Sequence, residues 1–479
     1  MWFSAIVIAV AGLAAWGCGG APIAPSSPTA QEPQKPEEQE QAWNPFVAVE
    51  PGGRVFMTYY GGRGGSEYRL LFNRSLDGGV TWLGQPIQLD TPPPARSRIG
   101  FHRLETNGGG RVSVTWSYER KEEQYWRTRE LRNRQSPDSG TSWTGEVLGR
   151  PFFQQSNYPT PLTDRDGTLY LLYTEGPASS AIPRFARSKG PGLDWASEPL
   201  TLPRSEGATG NPQDKGDPLN RREATWPVLA SDSRHTLYAV WQETSAQGTD
   251  ILFNRSRDGG STWLDSSLRL NTPPPGPTHT SRIPVVAVNE PGRIFVVWED
   301  FRHNTTDLYF NRSLDGGTTW LAQDVWVTAV RPPLASASGP VLSADRSGHL
   351  YIIWTDLREA PNSLYFTRSL DEGATWSPNA IRIDRHGPKE IAYAPRLARD
   401  DAGHVYAAWW EGEDATKGSV HFSWSDDYAT TWHKNEQPLD TFQRKGEPQF
   451  PWLSADGKGG VYVVWRSARS GRYQLYLNR

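Results

Sequence analysis

The chain has 479 residues, 36% of them hydrophobic and 22% charged, with a formal net charge of −3; it lacks the basic footprint of a nucleic-acid-binding protein. A single Cys and two Met exclude a disulfide framework and a cysteine metal cluster, and the nine His fall at no ligand spacing, so no cofactor is expected. Twenty-two Trp, 46 Gly and 39 Pro suit many short strands joined by turns.

Residues 2–17 (WFSAIVIAVAGLAAWG) form an apolar run that is short for a transmembrane helix and ends in small residues before Cys18. We read residues 1–17 as a signal peptide. Ala15-Trp16-Gly17-Cys18 resembles a bacterial lipobox, though no Lys or Arg precedes the run and Ala15 and Trp16 depart from the usual pattern. That resemblance implies cleavage before Cys18, lipidation of its thiol and an exported protein anchored to a membrane. An ordinary cleaved signal and a short membrane anchor are the alternatives, and both also export the chain. Residues 18–42, rich in Pro, Glu and Gln, read as a disordered tether leading to one folded domain over 43–479.

That domain is organised by an eight-residue phrase, Ser-x-Asp-x-Gly-x-Thr-Trp or a near variant, found at 75–82, 136–143, 256–263, 313–320, 369–376 and 425–432. A seventh, SKGPGLDW at 188–195, keeps the Ser and Trp without the Asp, and the seven Trp lie 52 to 68 positions apart. A period of this size means a repeat architecture. Each phrase reads as a tight turn: Ser and Asp bond the backbone, Gly takes positive φ, and Thr and Trp restart a strand. The phrase is the Asp-box, and the chain resembles the sialidase-like, or BNR-repeat, β-propellers over nearly its whole folded length. The resemblance implies an all-β single propeller of four-stranded antiparallel blades, in which the boxes are structural turns remote from the active site.

Between boxes, each unit reads as a Pro-containing strand A, a Gly turn, a strand B ending in an aromatic, and a strand C. Eight such units begin near Asn44, Arg98, Tyr158, Trp226, Arg282, Gly339, Ala394 and Phe450. Eight blades are therefore expected, with seven or six as alternatives. The eighth unit lacks a box, its fourth strand being absent or supplied by the segment before Asn44. With strand A innermost, its start and the B–C loop share one face of the ring, and a ring of Arg98, Tyr158, Trp226 and Arg282 there would suit an anionic sugar.

Ser281-Arg282-Ile283-Pro284 is similar to the family's Phe-Arg-Ile-Pro motif, whose Arg is one of three that clamp a substrate carboxylate; a guanidinium fork grips a carboxylate bidentately. Arg98 stands in the matching place of unit two, and Arg396 lies two residues into strand A of unit seven, completing a candidate triad. The family's nucleophile is a Tyr activated by a neighbouring Glu, a role for which Tyr158 and Glu243 (or Glu175) are the candidates, since a phenol needs an adjacent carboxylate to attack at neutral pH. The acid/base candidate is Asp300, or the further Asp307. The order of elements departs from the family, whose Arg-Ile-Pro motif opens the first blade, whereas here it lies in the fifth unit. Tandem Trp409 and Trp410 offer at most one free ring for stacking on sugar. Asn-Arg-Ser at Asn73, Asn254 and Asn311 belongs to the repeated strand C, and the proline runs at 91–97 and 272–281 stiffen the rim. The expectation is a monomeric exported propeller that recognises a sialic-acid-like anionic glycan, as an exo-α-sialidase-type glycosidase or as a non-catalytic propeller binding a glycan or a surface protein.

Overall fold

The computed structural model describes residues 41–62, 68–91, 97–122, 125–148, 156–177, 180–191, 198–204, 222–273, 279–289, 292–328, 336–358, 362–385, 387, 390–414, 417–433, 437–439, 451–467 and 474–479. The signal peptide, Cys18, the tether up to residue 40, most of the seventh turn phrase and the Tyr158 side chain lie outside them. All regular structure in the described residues is β-strand. The strands fall into eight consecutive meanders: seven have four strands, the fourth only two residues long, and the eighth has three. Of the segment before Asn44, residues 41–43 belong to the first strand of unit one, and the rest lies outside the described residues.

Pairing within units is antiparallel throughout; units two and three share one bridge (Thr128 to Ser156), and units four and five share a short parallel pairing of Gly248 and Thr249 with His279 and Thr280. The inner strands, Gln41–Glu50, Ser97–Thr106, Ser156–Thr163, Glu223–Ser231, His279–Asn289, Ala337–Ala344, Ile391–Arg399 and Trp452–Ala455, lie each against the next and the last against the first. The ring thus closes by side-chain packing between sheets: Phe46, Trp116, Trp452 and Val464, from units one, two and eight, share one core cluster.

The turn phrase is the device that joins neighbours. In the first, Ser75 Oγ donates to Asp77 (2.7 Å), and Asp77 accepts from the Thr81 hydroxyl (2.6 Å) and amide (2.8 Å). The Thr81 hydroxyl, then its amide and Ser75, hold the Asp77 carboxyl down to about 2. The same bonds recur at Asp138, Asp258, Asp315, Asp371 and Asp427. The fifth position of the phrase takes positive φ and abuts the preceding unit: a Cβ on Gly317 would sit 2.5 Å from the Phe253 ring. The closing Trp then meets that Phe edge to face, as Trp320 does Phe253 at 4.8 Å and Trp376 does Phe310 at 5.2 Å. The Asn-Arg pair ending strand C completes the joint. Asn73 Oδ1 brackets the phrase by accepting from Arg74 and Leu83, while arginines reach the backbone of the next unit's phrase: Arg74 to Ser139, Arg187 to Gly259, Arg255 to Gly316, Arg368 to Tyr428 and, across the closure, Arg479 to Gly78.

In units one to seven strand A carries a bulge near its start. Asn44, Trp226, Ile283, Gly339 and Ala394, each followed by Pro, take φ between 49° and 61° there. This corrects the expected alignment. Arg282 stands one residue before the bulge, level with Trp43, Ile99, Thr225, Ser338 and Tyr393, and Arg98 stands two before it, whereas Trp226 occupies the bulge itself.

Candidate functional site

The residue before each bulge pairs with a residue near the end of strand B, and these pairs form the rim of the ring at the end away from the turn phrases: Trp43 with Tyr60, Ile99 with Tyr118, Thr225 with Gln242, Arg282 with Glu299, Ser338 with Thr355 and Tyr393 with Trp410, with Arg98 and Glu119 one pair further out in unit two. The strand B member also latches onto the next unit. Tyr60 donates to the Gly100 carbonyl (2.7 Å), Gln242 accepts from the Ile283 amide (2.8 Å), and Glu299 accepts from the Gly339 amide (2.9 Å).

The two rim arginines differ. Arg98 gives both Nε and Nη2 to Glu119, at 3.0 and 2.8 Å. Arg282 gives only Nε to Glu299, at 3.0 Å, and its guanidinium carbon lies 4.6 Å from the centroid of the Phe301 ring. Its Nη1 and Nη2 make no hydrogen bond among the described residues. The Arg282 side chain is 40% exposed and Phe301 37%, so a cation and an aromatic face stand together in water. Leu357, at the same place in the B–C loop of unit six, is 50% exposed. Phe301 and Leu357 were not singled out from the sequence; their signal is an apolar residue directly after the acid that ends strand B, in WEDF and WTDL.

The remaining expected residues are not brought together. Asp300 is buried, with Oδ1 accepting from the Arg302 amide and Nε, and Oδ2 from Arg302 Nη2, the Ser281 hydroxyl and the Trp298 indole. Burial alone would raise this carboxyl, but the bonds and charge of Arg302 hold it below the usual range. It serves as counter-ion to Arg302, which Asp324 flanks on the other side. The Trp-x-acid pattern repeats as Trp354–Asp356 and Trp409–Glu411, each indole donating to the acid at 2.9 Å. Glu243 holds the same place in unit four, buried and accepting from Arg222 at 3.0 Å. Asp307 is buried with His303 at 3.0 Å, and Glu175 pairs with Arg184 at 2.9 Å. Tyr158 falls at the bulge of its strand, its side chain outside the described residues. Trp226 is half-buried. Trp409 and Trp410 are both buried, so neither is free to stack on sugar, because strand B has a neighbouring sheet on each face. Arg98, Arg282 and Arg396 belong to units two, five and seven, and Arg396 faces the inner strand of unit eight with its guanidinium over Trp452 at 4.7 Å.

Asp164, Asp166 and His235 could offer three metal-ligand atoms within 4.8 Å of one another. They lie in the A–B turns of units three and four, at the end opposite the rim. Asp164 is already committed there to the Asp166 and Thr168 amides and the Tyr170 hydroxyl.

No family model matches the chain and no curated protein matches it. Among solved structures it is similar to a protein of unknown function from Dyadobacter fermentans (12% identity, 69% of this chain and 95% of that one, TM-score 0.41). It is also similar to the Hadza microbial sialidase Hz136 (15%, 77% and 76%, 0.39) and to a PL25 ulvan lyase bound to -[GlcA(1-4)Rha3S]- (10%, 77% and 91%, 0.47). At such identities and TM-scores, what those proteins act on says nothing by itself of what this chain acts on.

Proposed function

We propose that this chain is an exported, lipid-anchored, eight-bladed Asp-box propeller of the sialidase type, and that its rim binds an acidic glycan without hydrolysing it. The observation that carries the reading is the Arg282–Phe301 pair: a half-exposed guanidinium anchored through Nε alone, its two Nη groups open, over an exposed aromatic ring. A sugar with a carboxylate satisfies both, the anion on the fork and an apolar sugar face on the ring. Binding is favoured over hydrolysis because the acid/base candidate Asp300 has both oxygens engaged by Arg302, Ser281 and Trp298, and Glu243 is bound to Arg222. A retaining glycosidase needs two carboxyl groups, or a Tyr and a carboxyl, facing one sugar.

The test sets two assays side by side on the purified full chain: titration with acidic and neutral oligosaccharides, and hydrolysis of a fluorogenic α-sialoside. Saturable binding of the acidic glycans alone, weakened in Arg282→Ala and Phe301→Ala, with no hydrolysis, supports the reading. Hydrolysis abolished in Arg282→Ala and Tyr158→Phe would replace it with the glycosidase.

A further inference from the structure

In seven units the outer side of strand C is covered by the short strand D, and in unit eight, among the described residues, it is not: Gln474–Asn478 is the outermost strand of a three-stranded sheet. The other units show what such an edge holds. In units one, four, five and six, Leu70, Ile251, Leu308 and Leu364 of strand C pair with the rim residue of strand B. Each accepts at its carbonyl from an amide just past strand D, that of Leu89, Leu270, Val327 or Ile383, at 2.8 to 3.0 Å. Each donates its own amide to the next side chain along, Asp90, Asn271, Thr328 or Asp384, at 2.5 to 3.1 Å. The four segments read IQLD, LRLN, VWVT and IRID: aliphatic, any residue, aliphatic, then Asp, Asn or Thr.

Leu475 holds this place in unit eight, paired with Arg466 as Leu308 is with Glu299. A strand turns alternate residues' amides and carbonyls to each side, so Leu475 and Leu477 direct theirs outward, where no described strand meets them. The side chains agree with the backbone. Leu70, Ile251, Leu308 and Leu364 are fully buried, as are Phe72, Phe253, Phe310 and Phe366 two residues on; Leu475 and Leu477 are only half-buried. In the other units the second aliphatic residue seals this seam, for Leu89, Leu270 and Ile383 are themselves core residues. An unpaired strand edge flanked by half-open leucines invites an added strand. Residues 19–40 do not carry the matching pattern: Ile23 is their one aliphatic side chain larger than Ala, and they contain no Asp or Asn.

We propose that the outer edge of Gln474–Asn478 docks an extended segment of a partner protein, which adds antiparallel to strand C as the fourth strand of unit eight. The partner is defined by its chemistry: an aliphatic residue opposite Leu477, any residue, a second aliphatic, then Asp, Asn or Thr. The second aliphatic enters the seam between units eight and one and gives its amide to the Leu475 carbonyl, and the polar residue accepts the Leu475 amide. Main-chain bonds supply the affinity and the aliphatic positions the selectivity. The surface is separate from the rim pair of Arg282 and Phe301 and does not depend on glycan binding.

The probe is a fluorescent peptide copying residues 378–385, PNAIRIDR, titrated with the purified full chain and followed by anisotropy. Saturable binding is expected, weakened about tenfold or more when the peptide carries Ile383→Asp and about fivefold when it carries Asp384→Ala. Methylating the peptide's Ile383 amide, the donor to Leu475, should abolish binding. These three peptides test the edge on the unaltered protein, so no folding defect intervenes. In the protein, Leu475→Pro removes the outward amide and should lose the peptide, while Leu475→Ala and Arg282→Ala keep it. No binding to the wild type, or binding indifferent to Ile383→Asp and to methylation, would overturn the proposal. A concentration-dependent dimer in sedimentation that takes up no peptide would overturn it in favour of two copies paired edge to edge.

Discussion

His102 makes the stability of this ring depend on pH. It stands on the inner strand of unit two, directly past the bulge and paired with Trp116. It is 2% exposed, neither ring nitrogen has a hydrogen-bond partner, and it is wedged between Phe46 and Tyr60 at 4.6 and 4.5 Å. Burial pushes its pKa down from 6.5 to about 3, the backbone of Thr58 opposing weakly. Burial also holds the Tyr60 phenol neutral throughout this range. The sign follows from which state binds the proton. Between pH 6.5 and 3 the unfolded chain is protonated at this residue and the fold is not, so stability is fully present above 6.5 and drains away as the pH falls towards 3. At pH 5 the loss is about 2 kcal/mol, and it approaches about 5 kcal/mol near pH 3. Buried acids whose carboxyls are raised, such as Asp90, work in the opposite sense, so the wild type by itself does not isolate the effect. His102→Leu does. Urea unfolding followed by tryptophan fluorescence at pH 7.5 and pH 5.0 should show the variant more stable at both, by about 1–3 kcal/mol at pH 7.5 because two unpaired polar atoms leave the core. The gap should widen by about 2 kcal/mol at pH 5.0. An equal gap at the two pH values would refute a buried, neutral His102.

Three further outcomes are expected. Asp90 accepts the Leu70 amide at 2.8 Å, but its other oxygen is buried without a partner, and burial lifts its carboxyl to about 6. Ionising it therefore costs the fold stability as the pH rises from 3.8 through 6, and Asp90→Asn, which copies the Asn271 bond to the Ile251 amide in unit four, should stabilise the chain at pH 7.5 by about 1–3 kcal/mol and not at pH 3.5, read by urea midpoint. Arg479→Ala removes the bond to the Gly78 carbonyl at the closure and should cost about 1 kcal/mol, as should Arg312→Ala at the joint of units five and six; a neutral Arg479→Ala beside a destabilising Arg312→Ala would argue against closure at that point. In glycan titrations, Phe301→Ala should weaken binding by about fivefold, with Leu357→Ala weaker in effect and both folds intact by circular dichroism.

What was readable in the chain divides along a physical line. The turn phrase encodes its own conformation: Ser75, Asp77 and Thr81 bond one another over a few residues, so spacing alone located the turns. The bulge is different. A residue before Pro ordinarily prefers extended backbone, and nothing local says that Asn44, Trp226 and Ala394 take positive φ. The bulge put Arg282 one step, and Arg98 two steps, away from the residues with which they were first aligned. The acids misled for a related reason. Asp300 and Glu243 look like catalytic carboxylates at the end of strand B, yet Asp300 serves as acceptor for the Trp298 indole and Arg302, and Glu243 for Arg222, partners that become neighbours only once the sheet has formed. The contrast between Arg98, which gives two nitrogens to Glu119, and Arg282, which gives one to Glu299, is of the same kind. Residue type was legible from the start, but whether an arginine is occupied is a property of the assembled ring, and unoccupied guanidinium groups are where a ligand of this chain should be sought.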